Sequence, residues 1–79
     1  MNKYLTILSK KLGQYYLIEF ICDSQYYYIQ LYKKWSKGEG YEATGCFKKF
    51  PIKERDRALS IYNGINLKNM YQILKSEVK

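Results

Sequence analysis

The sequence predicts an α+β fold: an antiparallel meander of three or four strands followed by two helices packed on one face. Three observations carry this expectation. Two runs rich in β-branched and aromatic residues flank Asp23-Ser24. A third alternating segment follows the polar stretch from Ser36 to Gly40. Beyond Pro51, the only proline, the apolar residues recur at helical spacing instead.

The opening residues carry two patterns. Tyr4, Leu5, Leu8 and Leu12 fit a helix stopped by Lys10, Lys11 and Gly13, whereas Leu5 and Ile7 fit a strand, and the strand is the preferred reading. Residues 15–22 and 25–35 form a β-hairpin, because their apolar residues alternate on either side of a turn-forming Asp-Ser pair. The next strand runs from Tyr41 to about Lys49, with Tyr41, Ala43, Gly45 and Phe47 on one face and Glu42, Thr44, Cys46 and Lys48 on the other. Pro51 then stands at or just before a helix start, with Glu54 and Asp56 in the opening turns, where the helix dipole favours acids. Ala58, Leu59, Ile61, Tyr62 and Ile65 line one side of that helix, and Gly64 ends it. Asn66 caps a second helix with Leu67, Met70, Tyr71, Leu74 and Val78 as its apolar stripe, and Ile65 staples onto Met70.

The chain has 79 residues, which bounds it to a single domain over 1–79. A domain this small buries little more than ~60% of its unfolded surface, so nearly every large apolar side chain is needed for packing and none is spare for an elaborate cleft. Cys22 and Cys46 form no Cys-x-x-Cys pair, and with no His there are too few soft ligands for a zinc site. They read as buried small apolar residues, with a disulfide between adjacent strands as the lesser alternative. The first apolar run, Tyr4 to Leu8, is too short for a secretion signal, and no run approaches the ~20 residues of a membrane span. The expected location is the cytoplasm, that of a host cell if the chain is phage-encoded.

Catalysis is not expected. A chain without His lacks the commonest base near neutral pH, and its serines and cysteines sit in no activating context. The carboxylate pairs Glu19/Asp23, Glu39/Glu42 and Glu54/Asp56 lie beside lysines, turns or helix starts, where structural roles suffice. Gly38-Glu39-Gly40 is a lone Gly-x-Gly that suits a hairpin turn better than a phosphate cradle. No cofactor and no metal are implied.

The informative feature is the second strand of the hairpin. Alternation sends Tyr27, Ile29, Leu31, Lys33 and Trp35 to one face, and Tyr26, Tyr28, Gln30, Tyr32 and Lys34 to the other. The first set is the more apolar and should meet the helices, leaving the tyrosines outward as a surface on which bases stack while ammonium groups meet phosphates. The structural alternative covers this row with the C-terminal helix or with the same face of a second copy, as a sheet-to-sheet homodimer. The net charge of +7 suits a polyanion, and Lys10, Lys11, Lys33, Lys34, Lys37, Lys48 and Lys49 fall near strand ends and turns, seven positive charges expected to cluster at one end of the meander. The expected nucleic-acid-binding residues are therefore Tyr26, Tyr28, Tyr32, Lys33, Lys34, Trp35, Lys37, Lys48 and Lys49. Only Arg55 and Arg57 are available as bidentate readers of guanine in a duplex, both among acids on a helix, so low sequence specificity toward single-stranded or structured nucleic acid is expected.

Residues 14–63 resemble the WGR domain, a small sheet-plus-helix module found with poly(ADP-ribose) polymerases and in some bacterial proteins. The likeness lies in Tyr15-Tyr16, Asp23, Tyr28 and Trp35, then Gly38, Phe47, Pro51, Ala58 and Tyr62. In that family the Trp-Gly-Arg segment contacts DNA ends and neighbouring domains, which implies a DNA-binding role around Trp35. Here Ser36 replaces the glycine and Lys37 the arginine, keeping a charge while losing the planar fork. A basic nucleic-acid-binding module is the leading functional expectation. The alternative partner is a host protein or ribonucleoprotein: a phage- or plasmid-encoded, anti-CRISPR-like inhibitor or accessory factor acting on a host nuclease or defence complex. At +7 such a factor is no mimic of DNA and would engage an acidic protein surface or an RNA.

Overall fold

Alternating apolar and polar side chains draw four consecutive segments into strands: β1 (Leu5–Leu12), β2 (Tyr16–Cys22), β3 (Tyr26–Lys33) and β4 (Glu42–Pro51). They are seen in a computed structural model that describes residues 4–34 and 40–75. The strands form one sheet in the order β1-β2-β3-β4, each antiparallel to the next. A short 3₁₀ turn, Ile52–Glu54, leads into α1 (Arg55–Gly64), and α2 (Met70–Lys75) follows. The α+β meander with two following helices is thus the observed fold, in its four-stranded form. Trp35, Ser36, Lys37, Gly38 and Glu39 lie outside the described residues.

Two turns set the register. Gly13 adopts φ +70° between β1 and β2, a conformation that side chains bearing a Cβ disfavour. Between β2 and β3, Asp23 Oδ1 accepts the backbone N–H groups of Gln25 and Tyr26, each at 2.8 Å. The Asp23 N–H in turn donates to the Tyr26 carbonyl at 3.0 Å, which closes the hairpin.

One face of the sheet carries the core. Leu12, Ile18, Phe20, Ile29, Leu31 and Phe50 are buried there against Ala58 and Tyr62 of α1, Ile65 of the connection, and Met70 and Leu74 of α2. Phe20 lies flat against Tyr27, with centroids 5.2 Å apart, and meets Tyr62 at 5.6 Å. Leu59 and Ile61 are partly buried against this cluster, whereas Leu67 and Tyr71 stay exposed, so the second helical stripe is narrower than its sequence pattern. Cys22 and Cys46 are free thiols, half-buried rather than sealed in the interior. No helix among the described residues is long and apolar enough to cross a membrane.

Local details refine the expected boundaries. Pro51 ends β4 and, as expected, stands just before the helical segment, as the N-cap of the 3₁₀ turn that leads into α1. Gly64 is the last residue of α1, and the cap falls on Ile65, whose extended backbone turns its N–H back to the Tyr62 carbonyl. Asn66 does cap the next segment, its Oδ1 accepting the N–H groups of Lys68 and Asn69 at 2.9 and 3.1 Å.

Candidate functional site

Because both helices pack on one side, the opposite side of the sheet has no layer over it among the described residues. Strand pairing decides what it displays. On β3, Ile29 and Leu31 point into the core, so Tyr26, Tyr28, Gln30 and Tyr32 face outward. The β2–β3 register sets Glu19 opposite Gln30 and Ile21 opposite Tyr28. The β3–β4 register sets Phe47 opposite Gln30 and Lys49 opposite Tyr28. Glu19, Ile21, Tyr28, Gln30, Tyr32 and Phe47, together with Tyr4 and Thr6 from the first strand's end, line a shallow basin of about 380 Å³.

The aromatic rings form a connected row around Tyr28. Tyr4 meets it edge-on with centroids 5.8 Å apart, and Tyr26 and Phe47 tilt against it at 6.2 and 6.5 Å. Interplanar angles of 55–68° mean that none of these rings spends its whole face on a neighbour. Phe47 is 38% exposed, an apolar ring that its neighbours cover only in part.

Hydrogen bonds hold the phenols in place. The Tyr28 hydroxyl donates to Asp23 Oδ2 at 3.0 Å. Burial, followed by this bond and the Asp23 charge, pushes its pKa up to about 12. The Asp23 carboxyl is held below its ordinary value, first by the N–H groups of Gln25 and Tyr26 and then by the Tyr28 hydroxyl. Tyr32 is raised by burial and by a hydrogen bond to Glu19. Glu19 lines the basin among the aromatic side chains of Tyr4, Tyr28, Tyr32 and Phe47.

Cations gather at both ends of this face. Lys49 Nζ lies 4.5 Å from the centre of the Tyr26 ring. At the other end, Lys34 and Lys11 line a second groove with Gly13, Gln14 and Tyr15. Lys34 also sits 5.3 Å above the Tyr41 ring.

Of the expected site residues, Tyr26, Tyr28, Tyr32 and Lys49 share the open face, and Lys34 borders it. Lys33 and Lys48 do not join them. Lys33 pairs with Tyr16 and places Nζ 5.5 Å from that ring, and Lys48 pairs with buried Ile29, so strand alternation turns both to the helix side. Trp35 and Lys37 lie outside the described residues. The lysines do not cluster at one end: Lys49 lies at one end of the face, Lys11 and Lys34 at the other, and Lys10 over Tyr62 on the helix side. Sequence reasoning left out Tyr4, Glu19 and Phe47, whose membership depends on register between strands, which no single strand encodes. Among the described residues, no group of three or more His, Cys, Asp or Glu is placed to hold a metal ion.

The arrangement offers stacking surfaces, hydrogen-bond acceptors and peripheral positive charge. Comparisons with family models, with curated proteins and with solved structures find no match to this chain, and so none bears on the WGR likeness.

Proposed function

We propose that this protein is a noncatalytic module that binds single-stranded nucleic acid on the open face of its sheet. One observation carries the reading: the helices occupy the other face, while Tyr26, Tyr28, Tyr32 and Phe47 lie on a surface bordered by Lys11, Lys34 and Lys49. Sheets that display aromatic rings serve as platforms for splayed bases, which stack on them whatever their sequence. Lysines at both ends of β3 suit a backbone that runs along the strand, whose eight residues extend about 25 Å at ~3.3 Å each. A duplex keeps its bases paired and offers no free faces to these rings, so single strands are the preferred form.

Fluorescence anisotropy with labelled single-stranded and duplex oligonucleotides tests the proposal. Micromolar or tighter binding to single strands, weaker for duplex, is expected at low salt. Phe47→Ala should weaken it roughly 5- to 100-fold, the span of one lost base–aromatic stack. Flat isotherms at low salt would reject the reading, as would unchanged affinity in a folded Phe47→Ala protein.

A further inference from the structure

The Tyr4 and Thr6 hydroxyls stand on one side of the basin, and several of its other donors already have partners. Tyr28 gives its hydroxyl proton to Asp23 at 3.0 Å, and Tyr32 lines the basin beside Glu19. The Gln30 amide nitrogen donates to the carbonyls of Leu31 and Cys46 at 3.1 and 3.3 Å. The centre of the floor then presents the Glu19 carboxylate as its acceptor, with Gln30, whose amide nitrogen is occupied, directly opposite in the β2–β3 register.

We propose that the basin is a guanine subsite, in which Glu19 receives the Watson–Crick edge of one unpaired guanine while Phe47 and Tyr28 contact its ring. This rests on the single-strand reading above and adds a base preference to it. Guanine alone carries two adjacent donors on that edge, N1–H and the N2 amino group, and their spacing matches the two oxygens of a carboxylate. Adenine and cytosine each set an acceptor nitrogen beside their amino group, which would face the second carboxylate oxygen repulsively. Uracil and thymine present a single N–H between two carbonyls. A carboxylate has about four lone-pair sites, so one neighbouring donor leaves room for both guanine donors.

Charge on two scales supports the same occupant. The net charge of +7 draws a polyanion and opposes a basic peptide, the other donor-bearing ligand that a carboxylate among aromatic rings would take. Inside the basin, Glu19 repels a phosphate group, so a strand must enter base first. The volume of about 380 Å³ falls within the ~300–1,000 Å³ of small-ligand pockets.

The test uses short oligouridine and oligothymidine tracts whose central position is guanine, adenine, cytosine or the parent base. The guanine oligomer should bind roughly 5- to 100-fold tighter than the others, the discrimination of one bidentate pair. Glu19→Gln, which keeps one acceptor oxygen but puts an amino group where the other was, should erase that preference, so that guanine-containing and guanine-free oligomers bind alike. Circular dichroism verifies the fold, and Glu19→Ala provides a second variant. The ribose and deoxyribose series show which sugar the guanine comes with. Equal wild-type affinity for all central bases overturns the guanine subsite and leaves strand binding standing, and so does a guanine preference that survives in folded Glu19→Gln. Absence of binding to every oligomer overturns both.

Discussion

Tyr62 carries a hydroxyl into the core, where no described group reaches it. Its ring is needed, since it packs on Phe20 and lies under the Lys10 ammonium at 5.1 Å, but its oxygen is not. A buried hydroxyl without a partner costs about 1–3 kcal/mol in desolvation. Tyr62→Phe should therefore raise the urea midpoint, with a gain of about 1 kcal/mol and an unchanged denaturant slope. Asp23 makes the opposite case, a side chain whose every oxygen is used. Its pKa is depressed in the folded state, so its contribution is complete above the ordinary value of 3.8 and disappears as pH falls through the lowered one. Asp23→Asn should destabilise at neutral pH, and the difference from wild type should close in urea titrations performed well below pH 3.8. Tyr28 sets the alkaline limit by the same linkage with the sign reversed. Its neutral phenol is stabilised by the fold, so that contribution is full below the ordinary 10.0 and fades as pH rises toward about 12, where phenolate absorbance should register its ionisation.

At the level of elements, two glycines respond in opposite directions to the same replacement. Gly45 adopts φ +86° where the β3–β4 pairing shifts between Gln30 and Tyr32, and a Cβ there would meet nothing within 4 Å. Gly45→Ala thus costs conformational strain alone, about 1–2 kcal/mol. Gly64 ends α1 without a positive φ and with open space around it, so Gly64→Ala should add about 0.5–1 kcal/mol. Thermal or urea unfolding of both variants checks the pair. The same irregularity marks where the sequence stops being readable. β2 and β3 were legible because buried Ile18, Phe20, Ile29 and Leu31 alternate with outward residues on either side of an Asp turn. β1 was ambiguous because it is an edge strand in which only Leu12 is buried, so no core face stamps a period on it. The shift beside Gly45 alters how the first half of β4 lines up with β3, while in the regular stretch that follows Phe47 faces Gln30 and joins the tyrosines, and Lys48 faces buried Ile29 and departs from them. For α2, the Asn66 cap was visible, yet the described helix begins at Met70. Asn66 and Asn69 hold a tight first turn, Asn69 Oδ1 accepting the Asn66 N–H at 2.7 Å and its amide donating to the Gly64 carbonyl at 3.0 Å.

On the scale of the whole molecule, the position of each charge matters more than the sum of +7. Lys11, Lys34 and Lys49 border the open face, whereas Lys10 leans over Tyr62 and reaches the Asn63 carbonyl on the helix side. If a strand lies along β3 and neutralises about four phosphates, log affinity should fall with log salt at a slope near −3, or ~60-fold for a fourfold increase in salt. Each open-face lysine that meets a phosphate then contributes ~0.7 to that slope. Replacing Lys11, Lys34 and Lys49 together by Gln should flatten it by about 2, while Lys10→Gln leaves it where it was. Surface substitutions of this kind change stability little, so the unfolding midpoint serves as the control that the fold survives. A slope that ignores the triple replacement but responds to Lys10→Gln would put the polyanion across the helices and strip the aromatic face of its role. Were the slope shallow from the start, stacking would have to supply the affinity without counterion release, and binding should then depend on Phe47 and Tyr28 at every salt concentration.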